Sequence, residues 1–148
     1  MKINITKREY LLLLDLLYLS NWVMNACHVG ERPDTVEYRE LHQKFLSYAK
    51  EFGQQDLVEY DKRYGKSYYT KLYEDESKSH NFIDEYENEV FWDELVDRLV
   101  KRDVLREHGE EALRKMDFRE ILQASESHEI RYNEEFENHG IQRLVIEV

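Results

Sequence analysis

Two pairs of carboxylates carry a spacing that could do chemistry: Glu37 with Glu40, and Glu94 with Asp97. Residues three apart share one face of a helix, so each pair can present two carboxylates side by side. Two such helices facing each other could hold Mg²⁺ among hard oxygen ligands. The histidines are scattered, at His28, His42, His80, His108, His128 and His139. None belongs to the Glu-x-x-His unit that seats metals inside a helical bundle, and there is no H-E-x-x-H. His108-x-x-Glu111 has the opposite order and straddles Gly109. Scattered histidines are ordinarily surface residues or hydrogen-bonded part-core ones. In a chain with 32 Asp and Glu, acidic pairs at this spacing also arise by chance.

The E-x-x-E and E-x-x-D pairs are similar to those of the all-helical nucleotide pyrophosphohydrolases, and the resemblance stops at Glu37, Glu40, Glu94 and Asp97. It implies, as the alternative function, a carboxylate-based enzyme dependent on a divalent metal. Nucleophilic catalysis has less to stand on, because no G-x-S-x-G is present. Cys27 is the only cysteine, which removes an internal disulfide and a cysteine zinc site. It adjoins His28, but neighbours in a helix do not face each other, and at the end of an apolar run a buried, inert thiol is expected.

That run, Tyr10 to Cys27, is interrupted only by Asp15, Ser20, Asn21 and Asn25. A helix through it is apolar on nearly every side, so other elements should surround it. Its polar positions are therefore the informative ones. A carboxylate at Asp15 among leucines needs a hydrogen-bonding partner. Asn21, Asn25 and His28 fall on one side at spacings of four and three. With Asp15 and Trp22 they make a candidate pocket. The duller alternative is a helix end of modest exposure with a satisfied Asp15. Lys2, Lys7 and Arg8 before the run and Ala26-Cys27 after it imitate an export signal. A charge at Asp15 is costly in such a segment, and the polar end is a poor membrane span. A central helix in a cytoplasmic protein is the reading adopted.

Charge bounds the partners. The net formal charge of −11 disfavours direct binding to DNA or RNA, which rests on Lys and Arg. One stretch runs the other way: Lys62, Arg63, Lys66 and Lys71 are interleaved with Tyr60, Tyr64, Tyr68, Tyr69 and Tyr73. Basic and aromatic residues together can hold single-stranded nucleic acid, although a solvated face over a tyrosine edge is the plainer explanation. Glu74 to Asp97 carries ten acidic residues against Lys78 alone. Such a run can dock on a basic partner or imitate a phosphate backbone, but a solvated helix face accounts for it as well.

The chain should be helical because breakers are scarce, with one proline and five glycines. Aromatics at 13% make it a folded domain despite 36% charged residues. Thr6 with Glu9 predicts a capping box opening the first helix, which should run from Lys7 to Cys27. Asp34 with Glu37 predicts another, followed by a core-facing stripe of Tyr38, Leu41, Phe45, Tyr48 and Phe52 ending at Gly53. Leu57, Tyr60 and Tyr64 suggest a short helix closing near Gly65. A long helix should begin near Ser79 or Asn81 and reach His108. Its apolar side changes from Phe82, Ile83, Tyr86 and Val90 to Trp92, Leu95, Val96 and Leu99. With no Gly or Pro at Glu89, a continuous helix with two sets of partners is favoured over a break. A short helix over Glu110 to Met116 follows, and Asp117 with Glu120 suggests a new start. Either a further helix then opens at Ser125 or Ser127, or the one from Asp117 continues to Glu137, with Tyr132 and Phe136 as anchors and Gly140 as its end. Ile3 and Ile5, and Leu144, Ile146 and Val148, alternate as strands do and should pair the termini.

The expected fold is mainly α: a single-domain bundle over residues 1–148, of about five or six helices, with a small two-stranded ribbon pairing the termini. The expected role is a non-catalytic interaction or accessory protein. Its partner would be another protein or a second copy, with no membrane and no direct nucleic-acid contact. No cofactor is predicted, and a divalent metal enters only through the alternative.

Overall fold

The structure, a computed structural model, describes residues 3–30 and 32–145. It is mainly α. Its elements are α1 (Lys7–Asn25), a 3₁₀ turn (Pro33–Thr35), α2 (Val36–Leu46), β1 (Val58–Asp61), β2 (Lys66–Tyr69), α3 (Lys71–Glu76), α4 (Ser79–His108), α5 (Glu110–Leu113) and α6 (Phe118–His139). Internal contacts divide the chain into two units, Met1–Asp84 and Glu85–Val148. Helix α4 is continuous through Glu89, as the lack of a breaker there predicted.

The first unit is built on α1. The Thr6 side chain accepts from the Glu9 amide while Glu9 reaches back to the Thr6 amide, so the expected capping box forms. Such a cap contributes about 1 kcal/mol. Tyr10 and Leu14 are fully buried with Leu46, Ala49, Val58 and Tyr73. The Tyr10 ring stacks on Phe52 at 4.3 Å, and its hydroxyl donates to the Phe45 carbonyl at 2.7 Å. The helix is not enclosed as expected. Leu12, Leu16 and Val23 are 56%, 64% and 71% exposed. The reason is the supply of cover: the buried cluster draws on α2, the turns after it, the ribbon and α3, and these close over the Tyr10–Leu14 side.

Other expectations for this unit also shift. Asp34 forms an ion pair with Arg32 at 2.5 Å instead of a capping box, and α2 opens on Thr35 with no side-chain cap. The stripe of α2 is offset. Thr35, His42, Leu46 and Ala49 are buried, Phe45, Tyr48 and Phe52 half-buried, and Tyr38 and Leu41 exposed. A polar residue takes the inner position because His42 has a hydrogen-bonding partner there. The helix stops at Leu46, and tight turns carry the chain on to Gly53.

The expected short helix near Leu57 is a β-hairpin. β1 and β2 pair antiparallel, with Val58 opposite Tyr69 and Asp61 opposite Lys66. Gly65 closes the four-residue loop at φ +61°, a conformation glycine adopts without strain. This is the small ribbon of the fold, and it lies mid-chain. Of the expected terminal pair, Lys2 and Ile146 to Val148 fall outside the described residues. Ile3 to Thr6 and Leu144 to Val145 carry no strand.

In the second unit, Asp117 and Glu120 form the capping box that opens α6, and Gly140 ends it at φ +56°. The sequence left a restart near Ser125 open, but α6 runs through. Val96, Val100 and Val104 of α4 are buried with Phe136 of α6, and Trp92, Leu95, Leu99 and Tyr132 pack around them. Both anchors expected of α6 are thus in place. The other apolar set of α4 behaves differently: Ile83 is buried, while Phe82, Tyr86 and Val90 are exposed.

Candidate functional site

The polar positions of α1 lead to two neighbouring constructions. The first satisfies Asp15. Its Oδ1 accepts the Tyr73 hydroxyl at 2.9 Å and the Ser77 hydroxyl at 2.8 Å. Ser79 Oγ lies 2.9 Å from Ser77 Oγ and 3.3 Å from the Tyr73 hydroxyl, and the Ser79 amide donates to Ser77 Oγ at 3.0 Å. Since Tyr73 and Ser77 spend their protons on Asp15, the Ser79 hydroxyl donates in return. The short segment Ser77–Ser79 joins α3 to α4, so one carboxylate ties α1 to both. Burial above all, with the hydrogen bond to Asp15 and that carboxylate's charge, raises the Tyr73 phenol well above the usual range, against the opposing hydrogen bonds of Ser77 and Ser79.

The second construction centres on Tyr69 of β2. Its hydroxyl donates to the Leu14 carbonyl at 3.1 Å and lies 2.8 Å from His42 Nε2. A phenol has one proton, so the arrangement that satisfies both contacts makes His42 Nε2–H the donor. Burial lowers the His42 pKa and keeps the ring neutral, leaving Nδ1 with a lone pair. Next to it, Gln43 Nε2 donates to the Ser67 carbonyl at 2.9 Å, and the Ser67 amide donates to Gln43 Oε1 at 2.7 Å. The Gln43 side chain thus behaves as a one-residue strand that fixes β2 to α2.

Held this way, β2 stands beside α2 and the second half of α1 across an open cavity of about 650 Å³. Tyr18, Tyr68, Val36 and Leu46 give it apolar walls, and Asn21, Arg39, His42 and Lys66 bring polar groups to it. Of the candidate pocket, the cavity takes in Asn21 alone. Asn25 is second to it, donating to Asn21 Oδ1 at 3.0 Å and accepting from Thr35 at 3.2 Å. Trp22 is half-buried and outside the lining, and His28 is exposed in the turn after α1. Asp15 belongs to the serine–tyrosine network. Cys27 is exposed, not buried, because α1 ends at Asn25 and leaves it in the following turn.

Arg39 was not singled out from the sequence, His42 was named only among the scattered histidines, and Lys66 and Tyr68 only in the basic, tyrosine-rich stretch. Arg39 and His42 lie three apart on α2, a signal that would have joined them. Their meeting with Lys66 depended on a hairpin whose first strand was read as a short helix ending near Gly65.

The carboxylate pairs sit on exposed helix surface. Glu37 and Glu40 are exposed on α2. On α4, Glu94 pairs with Arg98 at 3.0 Å and Asp97 with Lys101 at 2.5 Å. Among the described residues, no three His, Cys, Asp or Glu side chains gather as a metal-holding group.

A further charged cluster links α4 to α6. Asp103 accepts from Arg102 at 2.8 Å, from Arg131 at 2.9 Å and from the Tyr132 hydroxyl. The hydrogen bond from Arg102, with those from Tyr132 and the charge of Arg131, holds its carboxyl far below the usual range.

No protein-family model matches the chain, and searches of curated proteins and of solved structures find no match.

Proposed function

We propose that the protein is a non-catalytic interaction protein that assembles with a second copy of itself through the α4–α6 face of Glu85–Val148. The observation that carries this reading is a groove of about 440 Å³ along that face, lined by Val96, Val100, Phe118, Ile121 and Leu122. Phe118 is 82% exposed and Leu122 56% exposed beside it. Two long helices make half of a four-helix bundle, and among the described residues the unit's buried apolar cluster holds Val96, Val100, Val104 and Phe136 alone. A second hairpin would supply the missing half.

Charge favours a second copy as the occupant. The groove's α4 side reads Asp93, Asp97 and Lys101, four residues apart each time. In an antiparallel two-fold arrangement centred near Asp97, Asp93 of one copy meets Lys101 of the other, and the two Asp97 carboxylates that meet at the axis are each paired with their own Lys101 at 2.5 Å. The same acidic balance argues against a nucleic-acid role. Among the described residues no helix is long and apolar enough to cross a membrane. A reducing cytoplasmic setting is part of the proposal, on the single exposed thiol.

Light scattering after gel filtration, over a wide dilution series, tests it. The expected mass is twice 18.1 kDa, falling on dilution. Leu122→Glu should give a monomer of unchanged helicity. Lys101→Asp should weaken assembly, and adding Asp93→Lys should restore it. A monomeric mass at every concentration, or an undisturbed dimer in Leu122→Glu, overturns the reading.

A further inference from the structure

The cavity of Met1–Asp84 carries an inference independent of self-assembly. We propose that it binds a small planar anion, an aromatic or heteroaromatic ring bearing a carboxylate or a phosphate.

The size comes first. A cavity of about 650 Å³ falls in the range that encloses small molecules. Its walls match a flat apolar body, with Tyr18 and Tyr68 contributing rings and Val36 and Leu46 contributing aliphatic surface. Rings stack favourably on such walls, and a guanidinium adds its own attraction for a π face.

The anionic end follows from a surplus of donors. Arg39 makes no ion pair among the described residues, and its sole hydrogen-bond contact is a 3.5 Å approach to the Arg32 carbonyl. Lys66 lies at the start of β2, and its side chain has no hydrogen bond or ion pair there among the described residues. Asn21 Oδ1 is taken by Asn25, which leaves the Asn21 amide protons free of any described acceptor. Three donor-bearing groups, two of them cationic, therefore border one cavity in a protein of net charge −11. Among the described residues Glu40 is the single carboxylate on the lining, and it is exposed. The neutral His42 adds a lone pair at Nδ1, able to accept from a ring hydroxyl or ring N–H.

The walls are fixed in advance. Gln43 holds Ser67 through both of its main-chain groups, Tyr69 is held by Leu14 and His42, and Tyr18 lies 3.3 Å from His80 Nε2. A site whose sides are already hydrogen-bonded loses little conformational freedom when it is filled. Only Arg39, Lys66 and the Asn21 amide need to turn toward a ligand.

The test is an NMR titration of the isotope-labelled full chain with 4-hydroxybenzoate and, separately, with adenosine monophosphate. The proposal expects saturable shifts at Asn21, Arg39 and Lys66 to Tyr69 with at least one of them. Response to the benzoate alone assigns a carboxylate ligand, and response to the nucleotide alone a phosphate. The double variant Arg39→Gln/Lys66→Gln should weaken binding about tenfold or more, as expected when two charge-assisted contacts are lost. Lys66 is exposed and Arg39 half-buried with one long contact, so the variant's spectrum should otherwise overlay that of the wild type. Arg119→Gln on α6 should bind as the wild type does. Absence of saturable shifts with both probes, shifts confined to other residues, or equal affinity in the double variant overturns the proposal.

Discussion

Asp15 Oδ1 accepts the Tyr73 hydroxyl at 2.9 Å, so the one charged group inside the leucine run of α1 is joined to α3. Ser77 adds a second hydrogen bond at 2.8 Å, and Ser79, itself fully buried, completes the group. Removing the acceptor strands these hydroxyls without removing their desolvation. Asp15→Ala should therefore cost about 3 kcal/mol, and Asp15→Asn, which keeps an acceptor, about 1 kcal/mol. Asp15→Leu combined with Tyr73→Phe and Ser77→Ala should recover most of the loss, because no polar group is then left without a partner. Urea unfolding followed by Trp22 fluorescence, in a Trp92→Phe background, measures all of these. A change within about 0.5 kcal/mol for Asp15→Ala, the range of a neutral surface substitution, would show that the network is not structural.

The Gln43–Ser67 pair gives a second prediction. Ser67 is buried, so its amide and carbonyl have no easy recourse to water once Gln43 is truncated. Gln43→Ala should destabilise the hairpin by about 2 kcal/mol, which is about thirtyfold faster exchange of the Ser67 amide proton. Gln43→Glu keeps the acceptor for that amide and should fall in between. Equal exchange rates in the three proteins would remove Gln43 from the account of how β2 is held.

How far the sequence foretells this protein depends on whether the deciding interactions are local. Both capping boxes that formed, Thr6 with Glu9 and Asp117 with Glu120, are contacts over three residues and could be read directly. Asp34 with Glu37 had the same pattern, but Arg32 stands two residues from Asp34 and takes its carboxylate. The α2 stripe misled for a non-local reason. His42 is buried through a partner 27 residues away, which displaces the inner face by one position. The hairpin was hidden because Val58–Asp61 and Lys66–Tyr69 each run only four residues, too short for a period of two to stand out. That one miss concealed the cavity as well, because Lys66 and Tyr68 reach it only on β2. Asp15 and Asn21 were legible as polar exceptions in an apolar helix. The Asn25 partner of Asn21, four residues on, was legible with it, but those of Asp15 were not, since Tyr73 is 58 residues away.

His42 makes stability depend on pH. Burial lowers its pKa in the folded state relative to the unfolded chain, so unfolding takes up a proton in the window between the two values. Stability contributed by the neutral ring is full above the ordinary histidine range, about 6.5, and is lost as pH falls below it. His42→Gln keeps a donor for Tyr69 but cannot titrate. Its unfolding free energy should be flat where that of the wild type slopes downward toward acid, and parallel slopes for the two proteins would refute the assignment.

Asp103 acts in Glu85–Val148 at more acid pH. Arg102, Tyr132 and Arg131 all favour its ionised form, so its folded pKa lies below the unfolded one and unfolding again takes up a proton. The stabilisation is complete above the ordinary carboxylate range, about 4, and is lost as pH falls through that range and below it. Asp103→Asn removes the charge and leaves Arg102 and Arg131 facing a neutral amide oxygen in place of a carboxylate. It should lower stability at neutral pH, with the deficit shrinking steadily as the wild type is acidified. Thermal melts read through Trp92, in a Trp22→Phe background and at descending pH, follow this directly. Trp92 is suited to report it, packing at 5.5 Å on Phe136 one helical turn from Tyr132. A deficit of constant size down to the most acid melt would mean that the arginines are held by something other than the charge on Asp103.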